Sequence, residues 1–127
     1  MSKILALLLL FPTAAIAQEQ EKISLTCTPQ TFHVLPGEPI QVELTVRTDA
    51  ALPVRFHFPA NPLLVLRAKE KQPIERTAQG DVIHRRVVIW QAVEPGTVKM
   101  NNISVEIQGR KLLFPEITIT VSDPSQQ

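Results

Sequence analysis

The chain holds three histidines, His33, His57 and His84, and one cysteine, Cys27, so metal and thiol chemistry are the first possibilities to weigh. A metal site built from local sequence would place two imidazoles or thiolates a few residues apart, aimed at one ion. No two of these four residues stand that close, and no metal-ligating set is predicted. Nucleophilic catalysis would need a nucleophile elbow or a glycine-rich oxyanion loop, and a nucleotide site a phosphate-cradling loop. With four glycines in the chain, neither is present. The carboxylates fall singly among polar positions, and none pairs as acid and base. No catalytic, cofactor-binding or metal residue is assigned, and the expectation is a protein that is not an enzyme.

Cys27 sits in "ISLTCT", where Ile23, Leu25 and Cys27 alternate with Ser24, Thr26 and Thr28. That period puts the thiol on the apolar face of a strand, where a free cysteine behaves as a small hydrophobe. An intermolecular disulfide and a reactive thiol are the other readings open to an odd cysteine in an exported chain. Trp90, in "VVIW", is read as a core residue in the same way. Two basic clusters stand out: Arg67, Lys69, Lys71 and Arg76, then Arg85 and Arg86. If their segments pair, they make a cationic face for an acidic partner; otherwise they are a solvated edge that discourages aggregation. Asn102-Ile103-Ser104 matches a glycosylation sequon, relevant only in a eukaryotic secretory pathway.

The elements that must position these residues begin after an export signal. Lys3 supplies a positive start, residues 4–11 an apolar run and Ala15-Ile16-Ala17 a small-x-small cleavage site. Residues 1–17 are predicted to be removed between Ala17 and Gln18, leaving residues 18–127 as a single domain in the periplasm or secreted. The stretch is too short for a membrane span, which needs roughly 20 apolar residues. No second apolar run follows, so no span is expected in the mature chain. Cleavage removes Lys3 and leaves twelve basic against twelve acidic side chains, which gives no global attraction to nucleic acid.

After the signal the period is two, broken by proline and glycine, as in an all-β chain of short strands. Strands are predicted over residues 22–28, 39–48, 53–58, 63–71, 82–93, 97–108 and 111–121, with a short edge strand before Gly80-Asp81. Pro36-Gly37, Gly96 and a Gly109-Arg110 hairpin mark the turns. The buried parity changes between Val98/Met100 and Ile103/Val105/Ile107, which predicts a bulge or bend at Asn101-Asn102. Pro115 suggests an edge position or bulge for the last strand. Seven to eight such strands make an immunoglobulin-like antiparallel β-sandwich.

From Ile23 to Val121 the order of features resembles the bacterial oxygen-tolerance (BatD-type) family of immunoglobulin-like domains. The likeness lies in "SLTCTPQTFHVLPGEPIQVELTV" and in "VEPGTVKMNNISVEIQGRKLLFPEITITV". The resemblance implies an envelope protein that acts through protein contacts, in association with MoxR-type ATPases and von Willebrand A-domain proteins. It supplies no catalytic residue and no cofactor. The first expectation is therefore an exported β-sandwich that binds an envelope protein by loop tips or by a sheet edge, the candidate edges being the first strand and the last. A secreted protease inhibitor presenting "FPANP" is an alternative, and a periplasmic metal or redox carrier using Cys27 is another.

Overall fold

A computed structural model describes residues 22–124. The predicted signal and its cleavage point lie outside the described residues. Eleven strands form: β1 (Ile23–Thr28), β2 (Thr31–Val34), β3 (Pro39–Thr48), β4 (Arg55–His57), β5 (Leu64–Lys71), β6 (Glu75–Arg76), β7 (Val82–Ala92), β8 (Gly96–Met100), β9 (Ser104–Ile107), β10 (Arg110–Leu113) and β11 (Ile117–Val121). No helix among the described residues is long and apolar enough to cross a membrane.

One sheet has the order β1-β3-β7-β5, with β6 continuing along the same side of β7. The second layer is made of β2-β11-β8 and β10-β9-β4. These two groups share one long hairpin. β8 and β9 form its first arm, β10 and β11 its second, and the register carries through from Ile117–Met100 to Leu113–Ser104. The eleven strands thus run as seven arms, the first of which, β1 then β2, crosses from one sheet to the other at the cis Thr28–Pro29 bond. Read by arm, the two sheets are first-second-fifth-fourth and first-seventh-sixth-third. That is the strand order of a constant-type immunoglobulin domain with part of the first arm added beside the seventh.

The core follows from alternation. Ile40, Val42, Leu44 and Val46 of β3 are fully buried, as are Ile117 and Ile119 of β11. With Val88, Trp90, Val105 and Ile107 they form one apolar cluster shared by both sheets. Cys27 belongs to it at 6 % exposure, so the core reading of the thiol holds. It has no disulfide partner, and its Sγ–H points to the Pro115 carbonyl at 3.5 Å.

Several expectations are corrected. β2 was not foreseen, and it pairs parallel with β11 in an otherwise antiparallel molecule. Its four residues are too few to show a period. The last strand is not an edge: β11 lies between β2 and β8. Pro115 is accommodated instead in a break of the long hairpin, where residues 101–103 face residues 114–116. The bend expected at Asn101-Asn102 is there, but both arms break together. Asn101, Asn102, Pro115 and Glu116 turn outward while Ile103 and Phe114 stay buried, linked by Phe114 N–H to the Ile103 carbonyl at 2.9 Å. The hairpin turn falls one residue earlier than expected, at Gln108-Gly109, both with positive φ (53° and 76°).

Candidate site on the open side between β4 and β5

The edges of the first sheet are β1 and β5, and those of the second layer are β2 and β4. β5 and β4 border the same open side of the sandwich, and β5 is the longest edge strand, with eight residues. Its inner side is unusual. In β7, even-numbered residues point between the sheets: Val88, Trp90 and Ala92 are buried there. His84 and Arg86 share that parity. A strand that is apolar at one end therefore turns a histidine and an arginine inward at the other.

Aromatic rings receive them. The Arg86 guanidinium lies 5.1 Å from the centre of the Phe56 ring, and Lys69 Nζ lies 5.9 Å from that of Phe58. The Phe56 ring in turn stacks with Phe58 at 6.2 Å and with Phe114 at 5.9 Å. A ring face carries negative charge density, so each cation gains attraction while its alkyl stem covers apolar surface. This explains how cations sit beside the core with no carboxylate at hand.

A cavity lies at each end of this row. Near the start of β5, a cavity of about 250 Å³ is lined by Phe58, Pro59, Ala60, Asn61, Leu64, Leu66 and Trp90. At the far end, a cavity of about 280 Å³ has apolar walls of Leu52, Pro53, Val54, Phe56 and Ile74, and polar lining from Lys71, Gln72, His84, Arg85 and Arg86. Among the described residues no carboxylate lines it, and His84 Nε2 is buried with no hydrogen-bond partner. Burial, followed by the charges of Lys71 and Arg86, holds the His84 imidazole below the ordinary histidine value. Leu66 pairs with Trp90 and Lys71 with Arg86, five positions apart on β5. At about 3.3 Å per residue the cavities are roughly 15 Å apart.

Exposed apolar side chains gather at the same edge. Leu63, Val65, Leu66 and Val93 are each at least 36 % exposed, and Val93 N–H bonds the Leu63 carbonyl at 3.2 Å. The β5–β7 register shifts between Leu66 and Ala68, leaving Arg67 unpaired in the ladder.

The predicted basic face is thus divided. Lys69, Lys71 and Arg86 converge on the open side. Arg85 points to the outer face, where its guanidinium bonds Glu75 at 2.6 Å and approaches Glu43 at 3.5 Å. Arg67 and Arg76 are exposed and away from the cavity lining. His84 was weighed in the sequence with His33 and His57 only as a metal ligand and was expected on a solvated polar face, although its place two residues before Arg86 ties the two to one face of the strand. The three histidines lie on separate strands, β2, β4 and β7. Among the described residues no group of three or more His, Cys, Asp or Glu could hold a metal.

The "FPANP" loop does not stand clear of the body. Asn61 accepts the Leu63 N–H on its side-chain oxygen at 2.8 Å and the Leu64 N–H on its carbonyl at 3.2 Å. Phe58, Pro59 and Asn61 are half-buried, leaving Ala60 and Pro62 exposed. Burial pushes the Cys27 thiol up from its ordinary range, opposed by a hydrogen bond to Gln30, which favours the protonated thiol over the thiolate.

Strand order and register define the class: an immunoglobulin-like β-sandwich. No protein-family model and no curated protein sequence matches the chain. Among solved structures, it is similar to the BIgI domain of beta protein from S. agalactiae bound to CEACAM1. The identity is 17 %, the TM-score 0.49, and the match covers 80 % of this chain and 97 % of that one.

Proposed function

We propose that this protein is a non-catalytic binding domain, exported to the cell envelope, that captures an extended segment of a partner protein along β5. One observation carries the reading. The longest free sheet edge coincides with the gathered exposed apolar residues and runs past two side-chain cavities. Strand addition uses backbone hydrogen bonds for affinity and pockets for alternate side chains for specificity. The segment that fits is apolar where it meets Leu63, Val65 and Leu66, and acidic where it meets Lys69 and Lys71. Export is supported by the N-terminal pattern of Lys3, the apolar run and Ala15-Ile16-Ala17. The resemblance to BatD-type domains nominates envelope proteins with von Willebrand A domains, or MoxR-type systems, as the partner class.

The backbone supplies a clean variant. Gln72 N–H bonds the Arg85 carbonyl at 3.1 Å, so position 72 faces β7. Antiparallel ladders alternate, so Lys69 and Lys71 direct their N–H and C=O groups away from β7. Lys69→Pro removes an outward donor and leaves the β7 ladder intact, since proline is tolerated on an edge when its nitrogen faces solvent. A photo-crosslinking residue placed at Leu66 should yield a specific adduct in cells, lost in the Lys69→Pro variant. One placed at Ser24 on β1 should yield none. An adduct from Ser24 alone, or one at Leu66 that survives Lys69→Pro, overturns docking at β5.

A further inference from the structure

The cavity at the His84 end of the open side is more selective than an apolar dimple. Its cationic side is built from two strands, Lys71 on β5 and Arg86 on β7, paired in register across the ladder. Arg86 is held in place by the Phe56 ring. His84, on the same face of β7, buries a ring nitrogen that no group among the described residues satisfies, and a buried polar atom without a partner carries a desolvation cost. His84 also belongs to the lining of a space large enough for a ligand group. The opposite walls, Leu52, Pro53, Val54 and Ile74, carry no charge.

Neighbouring carboxylates do not neutralise this group. Glu75 and Glu43 contact Arg85 on the outer face, and neither lines the cavity. Among the described residues, the inward cations therefore have no acidic counterpart in the cavity lining, next to an unsatisfied imidazole. A carboxylate entering the cavity would meet the charges of Lys71 and Arg86 beside the His84 ring, with charge-assisted bonds stronger than neutral ones. Its apolar body would lie on Val54, Phe56 and Ile74. At about 280 Å³, the space is at the small end for a ligand pocket and suits one side chain.

We propose that this cavity is a carboxylate-binding subsite. It takes an acidic group joined to a short apolar body, supplied by an acidic side chain of the segment docked on β5. The assignment rests on the edge-docking reading only for the source of the carboxylate. The cavity's own chemistry is tested without any partner, so the two readings fail separately.

The test is a titration of the isotopically labelled protein, followed by NMR, with 4-methylpentanoate and with its neutral isostere 4-methylpentanamide. The acid should shift the His84 ring signals and the amides of Phe56, Ile74 and Arg86, and bind at least tenfold more tightly than the amide. Lys71→Gln, at an exposed residue that leaves the fold unstrained, should weaken the acid about tenfold and leave the amide unaffected. Arg86→Gln should do the same, and Lys71→Gln keeps the test valid if that variant folds poorly. Lys99→Gln, on β8, should change neither. Blocked peptides Val-Glu-Val and Val-Gln-Val then separate the sources: a protein segment predicts tighter binding of the glutamate peptide than of the free acid. Equal affinity for acid and amide, shifts elsewhere on the protein, or no shift at all overturns the subsite. Tight binding of the free acid with none of the glutamate peptide overturns the protein source.

Discussion

At the scale of single residues, His84 is where sequence and structure differ most usefully. The run "HRR" reads as one polar stretch, and its meaning depends on which parity of β7 points inward. Val88 and Trp90 favour one parity, but Ile83, Val87 and Ile89 favour the other, so the inward direction of His84 and Arg86 was not legible from alternation alone. Nor was it legible that Phe56 and Phe58 come from another strand to receive cations. His84 also makes stability depend on pH. Its half-buried ring faces Lys71 on β5 and Arg86 on its own strand, and its register partner on β3 is the uncharged Val46. All three causes lower its pKa in the folded state. Between that lowered value and the unfolded 6.5, the unfolded chain binds more protons, so stability rises with pH in this window and falls as pH drops through it. Denaturant midpoints measured from pH 7.5 to 5 should therefore decline on acidification, and His84→Gln should flatten the decline. An unchanged slope in that variant would show that the pH response comes from other groups.

At the scale of elements, turn chemistry and parity were readable, and pairing partners were not. Cys27 fell on the buried face because three apolar residues alternate with three polar ones. β2, with four residues, offered no comparable pattern, and its parallel partner β11 lies more than 80 residues away in sequence. The long hairpin shows why the parity change was half understood. One arm shows Asn101-Asn102 plainly, but only the matched break at Pro115-Glu116 keeps register while the inward face changes on both arms. The same hairpin carries a local weakness. Its two-residue turn has positive φ at both positions, as a type I′ turn requires. Gly109 suits that geometry, but Gln108 at +53° occupies a region that asparagine tolerates better. Gln108→Asn should stabilise the fold and raise the melting temperature by a few degrees. Gly109→Val should lower it, because a β-branched side chain is strained there. A Gln108→Asn variant that melts at or below the parent temperature would mean that side-chain contacts of Gln108 outweigh its backbone cost.

At the scale of the whole molecule, the sequence carried the strand grammar and the layer count, because proline, glycine and alternation are local. Strand order is set by which apolar faces meet, and nothing local distinguishes β11 as a central strand from β11 as an edge. The outcome is one core shared by two sheets, with β7 at the centre of the first and the long hairpin spanning the second. The long hairpin is registered across its break, and the first arm ties the sheets at Thr28–Pro29. A domain of this size with a single undivided core should unfold as one unit. The chain provides its own probes. Trp90, its only tryptophan, is 3 % exposed, and Cys27, its only thiol, is buried between β1 and the Pro115 carbonyl of the opposite layer. Far-UV circular dichroism reports all strands together. Tryptophan emission, thiol labelling of Cys27 and circular dichroism should therefore give superimposable transitions in urea. A thiol that reacts at lower urea than the tryptophan signal moves would mean that β1 peels from β3 before the core opens. The first arm would then be a separately mobile edge, and β1 would compete with β5 as the place where a partner strand can enter.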